Sequence, residues 1–122
     1  MTIRHFGETC AVADLGGDLV GWCSMFPIPQ GRYFLHQLAV APSVRQTGIG
    51  KDLVISLVRR LTLQQEPFEL EFTIEQHNRA TLVLATAVAR DVQMHVVKRP
   101  DVIDLLEDGY NEELYVLTSK PT

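Results

Sequence analysis

Apolar positions along the chain recur with two different spacings, and the switches between them outline its elements. From residue 52 to 61, Leu53, Val54, Leu57, Val58 and Leu61 recur at i, i+1, i+4, i+5 and i+8, with Asp52, Ser56, Arg59 and Arg60 on the other side. One helical stripe is the consequence, and it predicts a helix over 48–63. Phe68, Leu70, Phe72 and Ile74 instead alternate with Glu69, Glu71 and Thr73, the pattern of a half-buried strand. A central strand is expected over 33–40, followed by a connection from Ala41 to Gln46.

Ahead of these lie two runs, 8–14 and 18–26, joined by Gly16-Gly17-Asp18, a strong hairpin signal. Pro27-Ile28-Pro29-Gln30-Gly31 is expected to be a rigid connection, because proline fixes φ and breaks ladder bonding. Residues 1–7 are too short for an independent element. The stretch 78–90 is predicted helical, with Leu82, Leu84, Ala85, Val88 and Ala89 apolar. Two final strands are expected over 94–98 and 114–118, separated by an acidic connection from Asp101 to Glu113. The predicted order is β-β-β-α-β-α-β-β, without internal repeats.

Composition narrows the class. At 122 residues the chain holds one domain, 1–122, with a single core. Apolar residues make up 46% and charged residues 21%, ordinary for a globular protein. The net charge of −4, without a Lys/Arg cluster, argues against a nucleic-acid surface. No apolar stretch is long enough to span a bilayer, and Met1-Thr2-Ile3-Arg4-His5 is no signal region, so a cytoplasmic location is expected. With Gly16-Gly17 as a two-residue turn, Cys10 and Cys23 are expected opposite one another in a non-hydrogen-bonded pair. Two reduced thiols packed as small apolar groups are the reading for a cytosolic chain. No Cys/His/Asp spacing suggests a metal site.

The stretch with chemistry in it is Arg45-Gln46-Thr47-Gly48-Ile49-Gly50-Lys51, at the start of the first helix. Gly48 and Gly50 let backbone N–H groups approach a ligand closely, and the helix dipole with Arg45 and Lys51 favours an anion there. A P-loop requires Ser or Thr after Gly-Lys, and here Asp52 follows. A dinucleotide fingerprint requires a third glycine where Leu53 stands.

What the segment resembles, with Leu38-Ala39-Val40-Ala41-Pro42 before it, is the acetyl-CoA motif of the GCN5-related N-acetyltransferase (GNAT) superfamily. Several stretches resemble the L-2,4-diaminobutyrate acetyltransferase branch of ectoine synthesis. They are His5-Phe6-Gly7-Glu8-Thr9, Leu19-Val20-Gly21-Trp22, Leu70-Glu71-Phe72-Thr73-Ile74 with Asn78-Arg79-Ala80-Thr81, and Gly109-Tyr110-Asn111-Glu112-Glu113-Leu114-Tyr115. The resemblance implies an α/β (α+β) GNAT fold, a mixed central sheet flanked by helices. It also implies acetyl-CoA or coenzyme A as cofactor and a small-molecule primary amine, such as diaminobutyrate, as substrate. The fold is expected to be shortened at its N-terminus, since the superfamily opens with a strand and two helices that line the acceptor pocket. Either the protein is minimal or the chain is truncated.

Carried over residue by residue, the resemblance puts Leu38, Ala39, Val40, Arg45, Gln46, Thr47, Gly48, Ile49, Gly50, Lys51 and Asn78 at the cofactor. N–H groups around Leu38 and Val40 would hold the pantetheine arm and acetyl oxygen at a bulge. Asn78 matches the pantetheine-contacting Asn, and is equally a helix N-cap. The superfamily's usual leaving-group acid is a tyrosine, and its place here is taken by Ala85. Acid work is then left to water or another side chain. A protonated amine with pKa of about 10 must lose a proton, for which Glu71 is a candidate base, directly or through water. Glu71 shares its alternation with Glu69 and Thr73, which suggests a solvent face. Glu113 (or Glu112) with Tyr110 matches the closing motif and could bind the substrate ammonium, or be a solvated turn charge. His36, on the active strand, is more simply structural, His77 belongs to a helix start, and Asp101, Asp104, Glu107 and Asp108 form a solvated acidic loop.

Three readings follow: an acetyl-CoA-dependent N-acetyltransferase, a catalytically impaired acyl-CoA-binding module serving as sensor or partner-binding protein, and a homodimer in which two chains rebuild the pocket.

Overall fold

The computed structural model describes residues 1–64, 67–75, 78–99 and 112–119. Among these residues seven strands and two α-helices follow one another as β1 (Thr2–His5), β2 (Cys10–Leu15), β3 (Asp18–Ile28), β4 (Arg32–Val40), α1 (Ile49–Thr62), β5 (Glu69–Glu75), α2 (Arg79–Val92), β6 (His95–Lys98) and β7 (Glu112–Thr118). They form one sheet in the order β1-β2-β3-β4-β5-β7-β6. Every neighbouring pair is antiparallel except β4 with β5, which run parallel.

Both helices lie on one face of this sheet. The stripe of α1 is buried as its spacing predicts: Leu53, Val54, Leu57, Val58 and Leu61 join Ala11, Cys23, Met25, Phe68, Leu70 and Phe72 in one core. Each buried Leu, Val, Met or Phe among them contributes about 1.5–3 kcal/mol. The helix seats closely on β3 because Gly21 has no side chain, and a Cβ there would stand 2.8 Å from Leu53 Cδ1. From α2, Val88 and Ala89 complete the core.

Residues 1–7 depart from expectation. Thr2–His5 pairs in antiparallel register with Ala11–Asp14 and forms an edge strand. Ile3 packs against the core and His5 Nε2 shares a 2.7 Å hydrogen bond with Ser56 Oγ of α1, so a tertiary contact completes what four residues cannot hold alone. The segment 27–31 also differs, since β3 continues through Pro27 to Ile28, paired with Tyr33 and Arg32. The hairpin closes on Leu15↔Asp18 as expected, but Val20 is an extra residue between Asp14↔Leu19 and Ala13↔Gly21. That bulge shifts the register by one, so Cys10 faces Ser24 and Cys23 faces Ala11. Both cysteines are free, and burial, followed by the neighbouring Cys10, pushes the Cys23 thiol up to about 12.

Candidate active site

The site is built where the sheet divides. β4 and β5 pair only at Tyr33↔Leu70 and Phe34↔Glu71. Just beyond, His36 is an extra residue in β4, between Met25↔Leu35 and Ser24↔Gln37. This bulge brings both Leu35 and Leu38 to the core face despite their odd separation, and it accompanies the parting of the two strands. The Ala41 N–H donates to Val20 O on the β3 side at 2.8 Å. Successive amides of a strand point to opposite sides, so the N–H groups of Leu38 and Val40 face into the split.

The chain after β4 turns through Pro42–Val44, anchored by buried Val44. Gln46 (φ 66°) and Gly48 (φ 87°) both adopt left-handed backbone. Gly48 starts α1 without any side-chain cap, and the first helical bond there runs from the Asp52 N–H to Gly48 O at 2.9 Å. Helix geometry therefore leaves the amides of Gly48, Ile49, Gly50 and Lys51 without intrahelical acceptors. They border a groove of about 1010 Å³ between the two helices, whose lining includes Leu38, Ala39, Val40, Arg45, Gln46, Gly48, Ile49, Gly50 and Lys51. Gly50 forms part of the floor, where an added Cβ would lie 3.4 Å from Val40 Cγ2. Of the expected turn residues Thr47 stands apart, its Oγ1 donating inward to Val44 O.

Three cations border the groove. Arg45 Nε approaches Val40 O at 3.5 Å, and Lys51 Nζ lies 3.3 Å from Asp91 Oδ2, spanning the helices. Arg79, at the first turn of α2, was missed by sequence reasoning, which took the Asn78-Arg79 pair only for its asparagine. The signal available was its position beside that cap. Three cations spread along a groove that open amides border suit an extended polyphosphate ligand.

The remaining candidates are not gathered in one place. Asn78 caps α2, its Oδ1 accepting from the Thr81 N–H at 3.2 Å. Glu71 is not simply solvated: its Oε2 pairs with Arg32 Nη1 at 2.5 Å, on the sheet face away from the helices. Register puts Val116 opposite Glu71 and Glu113 opposite Ile74. Glu113 and Val116 differ by an odd number, so Glu113 points to the other face from Glu71. There it joins Asn78 and Tyr115 around a pocket of about 90 Å³. Its carboxylate accepts from the Tyr115 hydroxyl (3.0 Å) and pairs with Lys98 Nζ (3.2 Å). Burial, then this hydrogen bond, raises the Tyr115 phenol above its ordinary pKa.

His36 is exposed, its Nδ1 3.4 Å from Ser24 Oγ and its ring 5.5 Å from that of Phe26. Ala85 lines an apolar cavity below the split. Tyr110, His77 and the acidic residues Asp101, Asp104, Glu107 and Asp108 lie outside the described residues, and Glu112 is described only through its backbone pairing with Glu75. Among the described residues no group of three or more His, Cys, Asp or Glu could hold a metal, and no helix is long and apolar enough to cross a membrane.

A divided mixed sheet with an uncapped glycine turn at the split has counterparts among known proteins. Residues 2–86 match the model of the acetyltransferase (GNAT) family. The chain belongs to that family.

An L-2,4-diaminobutyric acid acetyltransferase from Shouchella clausii is 34% identical over 95 residues, covering 76% of this chain and 53% of its own length. One from Marinococcus halophilus is 32% identical over 116 residues, covering 93% and 67% respectively. The chain spans about half the length of several such curated relatives. Among solved structures, the diaminobutyrate acetyltransferase from Paenibacillus lautus, in complex with its substrate L-2,4-diaminobutyric acid and coenzyme A, superposes with a TM-score of 0.76 at 28% identity, covering 93% of this chain and 72% of that one. The ribosomal-protein-S18-alanine N-acetyltransferase from Escherichia coli shares the fold at 14% identity, TM-score 0.65, covering 97% and 74%. The GNAT fold, a mixed sheet flanked by helices, is thus the one observed.

Proposed function

We propose that this chain carries the acetyl-CoA-binding and transfer machinery of an N-acetyltransferase acting on a primary amine of a small amino acid, with L-2,4-diaminobutyrate as the leading acceptor. The observation that supports it best is the run of uncapped amides at Gly48–Lys51 opening on the interhelical groove. In this reading the pyrophosphate of coenzyme A lies at the start of α1, beside Arg45 and Lys51, with Arg79 farther along the groove. Its pantetheine arm follows β4, and the inward amides of Val40 and Leu38 hold the arm and polarise the thioester carbonyl. The amine approaches from the face bearing Glu71. That carboxylate, oriented by Arg32, attracts the ammonium and takes its proton directly or through a water. Ala85 offers no proton, so the departing thiolate is protonated by water or by the proton shed from the amine.

The acceptor assignment is supported by the diaminobutyrate acetyltransferases at about a third identity. Glu113, with Tyr110 as its companion from the closing motif, is assigned to the substrate ammonium only through that resemblance. A second reading, an acyl-CoA-binding module without turnover, draws support from the same Arg32–Glu71 ion pair, which already engages the candidate base. Mixing the protein with acetyl-CoA and a panel of amines headed by L-2,4-diaminobutyrate, and following release of the coenzyme thiol, separates the two. Turnover on diaminobutyrate above the other amines supports the transferase. Saturable coenzyme A binding with no thiol release on any amine supports the module.

A further inference from the structure

We propose that the apolar cavity at the root of the β4–β5 split is an acyl pocket that takes the propionyl or butyryl chain of an acyl-CoA thioester. This rests on the coenzyme A reading above and extends it to the donor. The cavity measures about 220 Å³. Leu35 and Leu38 of β4 form one wall, Leu70 and Phe72 of β5 the opposite one, and Ala85 and Val88 of α2 close it. Thr81 and Ala85 stand one turn apart on α2, and their short side chains leave the volume that larger residues would fill.

Two features connect this space to the donor. Leu38 and Leu84 border both the cavity and the large groove, so the two spaces meet beside the inward amides of β4. A linear ligand with its phosphates at α1 and its arm along Val40 and Leu38 delivers its far end here. Among the described residues the lining carries no charged side chain, and Thr81 supplies the one hydroxyl in it. Interiors are ordinarily close-packed, and apolar cavities of about 150 Å³ bind molecules as large as benzene. A two-carbon acyl group leaves much of this one empty.

The reaction is unchanged in kind. The amine nitrogen bonds to the thioester carbonyl carbon, and the carbon–sulfur bond breaks with its electron pair passing to sulfur. The proton lost by the amine neutralises the thiolate, giving an N-propionyl or N-butyryl amide and free coenzyme A.

Calorimetric titration with coenzyme A, acetyl-CoA and butyryl-CoA, without amine, tests the pocket independently of turnover. Each methylene transferred into an apolar site is expected to tighten binding about fourfold, hence about fifteenfold for butyryl-CoA over acetyl-CoA. Ala85→Leu is expected to erase that preference, and the wild-type comparison stands on its own if the variant misfolds. Turnover on L-2,4-diaminobutyrate is then compared across the same donors. Equal or weaker binding of butyryl-CoA overturns the pocket even where acetyl transfer proceeds. Tighter butyryl-CoA binding with no transfer to any amine keeps the pocket and overturns the transferase. Failure of coenzyme A itself to bind removes both.

Discussion

Helices α1 and α2 have the same length, 14 residues each, and pack on the same face of the sheet, yet they begin in opposite ways. At α2 the side chain of Asn78 accepts from the Thr81 amide, so a group of the protein itself satisfies the helix start. At α1 the residue in that place is Gly48, with no side chain to offer and a backbone conformation that other residues resist. The dipole and the exposed N–H groups are alike in both. One terminus is closed for stability, and the other is left to be closed by something else. A helix start becomes a binding site through the omission of its cap as much as through any added residue.

The largest expected effect comes from closing the open terminus. Gly48→Val places a β-branched side chain at φ 87° and disturbs at least two amides. With charge-assisted hydrogen bonds contributing about 1.5–3 kcal/mol each, coenzyme A affinity falls by at least about 100-fold. Calorimetry measures it, circular dichroism checks that the helices persist, and unchanged affinity in a folded variant refutes the phosphate site. Gly50→Leu, at the groove floor beside Val40, is expected to give a smaller loss in the same assay.

Asn78→Ala reverses the experiment on the closed terminus. Stability drops by about 1 kcal/mol in a denaturant titration, with coenzyme A affinity nearly unchanged. A tenfold loss of affinity instead gives Asn78 a pantetheine contact besides its cap. Lys51 offers a finer test, because Asp91 competes with a bound phosphate for its ammonium. Asp91→Asn is expected to strengthen coenzyme A binding a few-fold at low salt, and the gain shrinks as salt rises. The ion pair itself is exposed and adds about 1 kcal/mol or less to folding.

The smallest effect concerns how α1 is tethered at mid-length. Burial, then the charge of Arg60, lowers the His5 pKa below its ordinary 6.5. The unfolded chain then binds the proton more readily than the folded one, so stability rises with pH across this window. The His5 contribution is complete above pH 6.5 and is lost as pH falls through the lowered value. Denaturant midpoints taken from about pH 5 to 8 show this slope, and His5→Gln flattens it. A slope unaltered by that change removes His5 from the account.

Elements whose cause is local were legible in the sequence. The α1 stripe and the β5 alternation each state their own buried face, and the glycine turn carries its backbone requirement in its residue types. Features that depend on distant partners were not. β1 has only Ile3 and His5 to turn inward, and the polar one is accommodated because Ser56 meets it 51 residues later. The Val20 bulge moved Cys23 from its expected partner by one position, and nothing in Leu19-Val20-Gly21 announces a bulge. Glu71 looked solvated because Arg32, 39 residues away, becomes its partner only through the parallel β4–β5 pairing. The face taken by Glu113 likewise depends on the β7 register, which the acidic stretch before it conceals.

The short seam between β4 and β5 carries a further consequence. From Leu35 onward β4 has no strand beside it on that flank among the described residues, so the middle of the sheet contains an unclaimed border. Such a border ordinarily invites a neighbouring polypeptide to add itself, the first step toward fibrils. Here two helices cover one face of it, which leaves room for a slender thread and hinders an incoming ribbon. A recess shaped for a small molecule is thus poorly shaped for strand addition by another copy of this chain.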